Sequence, residues 1–121
     1  MDLLLEGILS NNMNERNKAI EKIIMEKPVK LKSDLLQIAL EGPTYAKLGA
    51  LKSYGNIISK DEIGTILEFT KNKNWHMRLE ALKCIANLMG KDSLKILKPF
   101  LEDKAYGVRS EVELIISNFK K

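Results

Sequence analysis

Three observations predict an all-α chain of paired helices. Apolar residues recur at three- and four-residue steps: Leu79, Leu82, Ile85, Ala86 and Met89 fall on one side of a helix running from Trp75 to Gly90. No alternating strand pattern is found. The third observation is a repeat of 31 residues: Lys47-Leu48-Gly49-Ala50-Leu51-Lys52 lies over Arg78-Leu79-Glu80-Ala81-Leu82-Lys83, and the ungapped match continues through Asn56/Asn87, Asp61/Asp92, Phe69/Phe100 and Lys73/Lys104. Shared Asn, Asp and Phe in one register are far less accidental than shared Leu and Lys. A basic column follows at Arg16, Lys47, Arg78 and Arg109, with Ala19, Ala50, Ala81 and Val112 three residues later. Seven residues after the basic column stand Ile23, Tyr54, Ile85 and Ile116. A fixed period of this size marks stacked supersecondary units.

In chain order, a short first helix spans Asp2 to Leu9 and stops at Ser10-Asn11-Asn12. The second covers about Asn14 to Glu26 and is closed by Pro28, since proline disfavours helix in the residue before it. The third runs from about Ser33 to Glu41, and Gly42-Pro43 makes the turn into a fourth over Thr44 to Ile58. The fifth starts after Ser59 or Lys60 and ends at Asn72-Lys73-Asn74. The sixth is the Trp75 helix, with Gly90 suited to a positive-φ stop. The seventh is expected over Asp92 to Glu102, kinked by Pro99. The eighth covers Tyr106 to Phe119. Eight helices give four hairpins in a single domain, with repeats at about 1–28, 29–59, 60–90 and 91–121.

Composition limits the function classes. With 45% hydrophobic and 30% charged residues, the 121-residue chain reads as a globular domain and not a disordered one. Its apolar runs are too short for a membrane span, and acids stand where an export signal needs bases. One cysteine, Cys84, excludes an internal disulfide framework and fits a cytoplasmic location. The net charge of +4 is shared equally by the two halves, so no basic tail announces a nucleic-acid arm.

The residues resemble a known family at this point. Asp103-Lys104-Ala105-Tyr106-Gly107-Val108-Arg109 is similar to the HEAT-like repeat of the short type named after the phycobilisome lyases: a first helix, a turn bearing Asp, then Val-Arg, then a second helix rich in Ala and Leu. Asn72 to Arg78 repeats it with Asn for Asp, and Glu41 to Lys47 and Ser10 to Arg16 are looser copies. The resemblance implies a right-handed α-solenoid of four HEAT-like hairpins whose second helices line a concave face. It also implies that the basic column ties adjacent repeats together through the turn acids. That acid column reads Ser10, Glu41, Asn72, Asp103, so any such ladder is partial. The tetratricopeptide and ankyrin patterns are not found.

Candidate binding residues follow from the second helices: Lys18, Glu21, Lys52, Asn56, Glu80, Lys83, Asn87, Glu111, Leu114 and Asn118. The asparagines recur at the repeat spacing. They could bond an extended ligand, or they could satisfy loose carbonyls near helix ends. Trp75 could stack on a ligand, but covering the edge of the core is the plainer role, as for Tyr106 one repeat on. Lys91, Lys95 and Lys98 could form a nucleic-acid stripe on the seventh helix, but a solvated face is the commoner meaning.

Catalysis is not expected. His76 is the only histidine, which rules out a His-rich metal site or a Ser/His or Cys/His nucleophile system within one chain. His76 is followed by Met77, unlike the His-Glu pairs of the HEAT-like deoxyhypusine hydroxylases, and no aromatic and acidic site of the alkylpurine DNA glycosylase kind can be mapped. No cofactor is expected. The expectation is a non-catalytic scaffold that binds another protein, with nucleic-acid binding as the alternative and no membrane partner. At the chain's end, Lys98, Glu113 and Ser117 stand where other repeats carry mostly apolar residues, so the last face is expected to be open. Leu3, Leu4 and Leu5 crowd the first helix, which allows a monomer or a weak homodimer joined through the first hairpin.

Overall fold

The computed structural model describes residues 2–120, and Met1 and Lys121, the outermost residues of the first and last repeats, lie outside them. No strand occurs among the described residues, and no helix is long and apolar enough to cross a membrane. The chain divides into two compact units, Met1–Ile58 and Ser59–Lys121.

The first unit holds helices α1 (Leu3–Leu9), α2 (Met13–Glu26), α3 (Lys32–Glu41) and α4 (Thr44–Ile57). Local chemistry sets each boundary. The Asp2 carboxylate accepts the Leu4 amide at 2.7 Å, and the Asn12 side chain accepts the Glu15 amide at 3.1 Å, so both helices begin with a side-chain cap. Lys27 ends α2 at φ 50°, a left-handed stop made by a lysine where glycine is usual, and Pro28 prevents resumption. A 3₁₀ turn over Val29–Leu31 then leads into α3. Helix α1 packs on α2, α3 on α4, and α2 on α4, so the two hairpins stack. Ile8, Ile23, Leu35, Ala50 and Leu51 are completely or almost completely buried in this unit.

The second unit opens on a capping box in which Ser59 and Glu62 bond reciprocally around a 3₁₀ turn, Lys60–Glu62. Helices α5 (Ile63–Phe69) and α6 (Trp75–Met89) form its first hairpin. Asn74 caps α6, accepting the His76 amide at 2.8 Å, and Gly90 ends it at φ 58°. The final helix, α8, spans Tyr106–Phe119, as the periodicity predicts.

The seventh helix departs from expectation. Instead of one kinked helix over Asp92–Glu102, the chain forms a 3₁₀ turn (Gly90–Ser93), a single α turn, α7 (Leu94–Leu97), and a second 3₁₀ stretch (Lys98–Glu102). Among the described residues, seven helices longer than one turn therefore stand where eight are expected. Pro99 has no N–H to return to the carbonyl four residues earlier, and the chain tightens to three-residue bonding there. At the other end, Ser93 Oγ donates to the Gly90 carbonyl at 2.6 Å and holds the preceding turn in 3₁₀ form. Despite this, Leu97 keeps its inward position and is fully buried.

The 31-residue register holds in three dimensions. Ala19, Ala50, Ala81 and Val112 are all buried, and so are Ile23, Tyr54, Ile85 and Ile116. In the second unit Leu82, Ala86, Leu97, Val108, Val112 and Ile116 form one cluster, with α6 packed on α8. Trp75 covers that cluster's edge. Its ring lies so close to Gly107 that a Cβ there would come within 2.5 Å of it, which explains a glycine in the first turn of α8. Tyr106 does not repeat that role: it stays 75% exposed, with the Arg109 guanidinium over its ring.

Candidate functional site

The basic column is the first feature to resolve. Arg78 is buried and makes a bidentate pair with Asp103, from Nε to Oδ2 at 3.0 Å and from Nη2 to Oδ1 at 2.8 Å. Both side chains are only 7% exposed. The remaining terminal nitrogen, Nη1, donates to the Asn72 and Lys73 carbonyls at 2.9 and 3.1 Å. Asp103 Oδ1 also accepts the Ala105 amide at 2.8 Å. The Arg78 hydrogen bonds hold the Asp103 carboxyl below the usual carboxylate range against the opposing effect of burial, helped by the Ala105 amide. This clamp fastens one repeat's second helix to the next repeat's turn. It is structural: four of the five guanidinium donors are taken up within the protein, and the side chain is buried.

The other arginines repeat half of that arrangement. Arg16 Nη1 donates to the Ser10 carbonyl at 3.0 Å, and Arg109 Nη1 to the Asp103 carbonyl at 2.7 Å. In each of the three cases the accepting carbonyl lies six residues earlier, at the turn. Arg16 also lies over the Tyr45 ring and Arg109 over the Tyr106 ring, at 5.1 and 5.8 Å. Glu41, the other acid of the turn column, accepts from Gln37 at 2.8 Å. The interrepeat ladder is thus built at Arg78–Asp103.

The ten candidate binding residues separate into distinct places. On α2, Lys18 and Glu21 are exposed; on α4, Lys52 is exposed. Asn56 is half-buried, and its amide donates to the Lys52 carbonyl of its own helix at 2.9 Å. Of the two roles open to the asparagines, Asn56 takes the second: it satisfies a carbonyl near its own helix end. On α6, Glu80 is half-buried with the Cys84 thiol 3.9 Å from its carboxylate, and Cys84 itself is buried. On α8, Glu111 is half-buried and Leu114 is 55% exposed.

Lys83, Asn87 and Asn118 come together. They line an open groove of about 280 Å³ whose apolar floor is Ala86, Ile115 and Phe119. Lys83, Asn87 and Asn118 are all exposed. The groove arises because α6 and α8 pack side by side with the residues one repeat apart, Asn87 and Asn118, opening on the same side. The apolar half of this site is not legible in the residue pattern, since Ala86, Ile115 and Phe119 read there as core.

Lys91, Lys95 and Lys98 are exposed, but the helical face they were expected to share is broken by the change from 3₁₀ to α and back to 3₁₀. Among the described residues no group of three His, Cys, Asp or Glu side chains could hold a metal ion. His76 is exposed and its ring stacks on Trp75 at 3.7 Å between centroids.

Comparison with known proteins adds one positive finding. A family model described as HEAT repeats matches residues 33–116. No curated protein and no solved structure matches the chain.

Proposed function

Because the chain belongs to the family of HEAT-repeat proteins, we propose that it is a non-catalytic scaffold that holds an extended segment of another protein in the groove between α6 and α8. The observation that carries this reading is the combination of Lys83, Asn87 and Asn118 above a floor of Ala86, Ile115 and Phe119. Each asparagine amide offers donors and an acceptor, as each peptide group does, so a pair of them can bond a main chain whatever its side chains. The apolar floor takes one aliphatic or aromatic side chain, and Lys83 favours an acidic residue next to it.

With this reading goes a right-handed stack of four hairpins of the short lyase-type HEAT repeat, and a cytoplasmic setting in keeping with the single buried thiol, Cys84. Nucleic-acid binding is the alternative. It rests on the exposure of Lys91, Lys95 and Lys98, and it is weakened by the broken helix that carries them.

The test is selection of peptides from a displayed random library, followed by titration onto isotope-labelled protein. The expected peptides are extended and acidic with one bulky apolar residue, and they shift the Asn87 and Asn118 side-chain amides. A Lys83→Ala/Asn87→Ala/Asn118→Ala variant should keep its helicity and melting temperature and lose the peptides. Retained binding in that variant refutes the groove. Binding that instead falls steeply with salt and follows Lys91, Lys95 and Lys98 supports the nucleic-acid reading.

A further inference from the structure

A second surface lies at the starts of α6 and α8, away from the groove along their later turns and independent of the function proposed for it. A lysine, one further residue and an aromatic ring occur there twice at the repeat spacing: Lys73-Asn74-Trp75 and Lys104-Ala105-Tyr106. The fold sets the two copies side by side, because the Trp75 ring rests on Gly107, the residue after Tyr106. Each copy presents a ring that the protein backs. In the first, the exposed His76 ring stacks on Trp75, with centroids 3.7 Å apart and planes at 26°. In the second, Tyr106 is 75% exposed and the Arg109 guanidinium lies over its ring at 5.8 Å. Rings held in this way are positioned before a ligand arrives, which lowers the ordering cost of binding.

Arg109 adds an oxyanion socket. It is anchored through Nη1 to the Asp103 carbonyl, as Arg78 is to the Asn72 carbonyl, and each acceptor lies six residues earlier. Arg78 then closes its Nε and Nη2 edge on the Asp103 carboxylate at 3.0 and 2.8 Å. The same edge of Arg109 meets no acceptor among the described residues. A planar fork with one nitrogen already fixed suits an oxyanion held by two parallel hydrogen bonds. Lys71, Lys73 and Lys104 are exposed in the adjoining turns. Of the acids nearby in the chain, Asp103 is consumed by Arg78, and the exposed Glu68 and Glu102 are left. Three lysines and Arg109 outweigh them.

We propose that this surface binds single-stranded nucleic acid, with bases stacked on His76 and Tyr106 and phosphates held by Arg109, Lys73 and Lys104. A carboxylate alone would satisfy Arg109 and leave both rings unused. An apolar partner would leave the cations unused. A strand in which phosphates alternate with flat bases uses both kinds of group. A duplex keeps its base faces in its own stack and cannot offer them to the rings.

Fluorescence anisotropy with a labelled thymidine oligonucleotide of about ten nucleotides tests it, a length within the usual site size. Three phosphate contacts should make log K fall with log salt at a slope of about −2, since each contact on a single strand contributes about −0.7. Tyr106→Ala should weaken binding at least about fivefold, the lower end for a lost base stack, and Tyr106→Phe should bind as the parent does. His76→Leu, which still covers Trp75 but removes the flat ring, should weaken it similarly. Arg109→Lys keeps the charge, loses the fork and should also bind less tightly. The ring-proton signals of His76, the only histidine, should move upfield as a base stacks on it. Absence of saturable binding at about 50 mM salt, where phosphate contacts are strong, overturns the proposal. So does a duplex or an oligoglutamate peptide that binds as tightly as the single strand, or binding that survives Tyr106→Ala/His76→Leu.

Discussion

Replacing Asp103 with asparagine isolates the contribution of charge to the interrepeat clamp. The amide is nearly isosteric and keeps one acceptor oxygen, so the Ala105 amide or one Arg78 nitrogen retains a partner. What disappears is the bidentate ion pair at 2.8 and 3.0 Å. Removing one member of a buried pair ordinarily costs about 3–5 kcal/mol, because the other charge is left uncompensated. Two features place this site at or below the lower end. Arg78 keeps its two carbonyl acceptors, Asn72 and Lys73, and the asparagine preserves the shape. A loss of about 2–3 kcal/mol in the unfolding free energy of the second unit is expected, against about 3–4 kcal/mol for Asp103→Ala, which removes every acceptor. Urea unfolding followed by the fluorescence of Trp75, the only tryptophan, reads the second unit directly. The pH dependence supplies a second check. The folded carboxyl titrates below its unfolded value of about 3.9, so its stabilisation is complete above that value and is lost as pH falls through the folded pKa. The gap between wild type and Asp103→Asn should therefore be constant above about pH 5 and close as the pH drops further below 4. A difference under about 0.5 kcal/mol at neutral pH, within ordinary surface-mutation scatter, refutes the clamp. A gap that persists unchanged to pH 2 refutes its electrostatic origin.

Other outcomes follow from the packing. Leu82→Ala removes a fully buried side chain at the centre of the second unit's core, and a loss of about 2–5 kcal/mol by urea unfolding is expected. Gly107→Ala forces the Trp75 ring to move, since its atoms lie 2.5–3.2 Å from the new methyl; the variant should lose about 1–3 kcal/mol despite the better helix former, with Trp75 emission shifted to the red. Lys98→Ala and Glu113→Ala, both at exposed positions, should each leave the melting free energy within about 0.5 kcal/mol.

Helix positions and the inward columns were readable in the residues because both depend on local rules. A side chain's face is set by a period of 3.6 residues, so a 31-residue repeat returns Ala19, Ala50, Ala81 and Val112 to equivalent buried positions. The stops at Pro28 and Gly90 follow from backbone sterics alone, as does the disruption at Pro99. Its form was not readable. Whether proline kinks a helix or reduces it to 3₁₀ turns depends on what packs around it, and Leu97 must still reach the core.

The clamp was partly legible: the arginine and acid columns were visible at fixed spacing. Only the folded chain decides that Arg78 meets Asp103 of the next turn while Arg16 and Arg109 settle for turn carbonyls and a tyrosine ring. The asparagine column shows the same division. Three asparagines at equivalent positions look alike in sequence, yet Asn56 is taken up by its own helix, and Asn87 and Asn118 border an open groove. The sequence by itself determined which residues share a helix face, because that is a property of one helix. Tertiary structure decided which faces leave space between them, because a groove is the volume two packed helices fail to fill. Beside Ala86 that volume is bordered by Ile115 and Phe119, which belong to a helix distant in the chain.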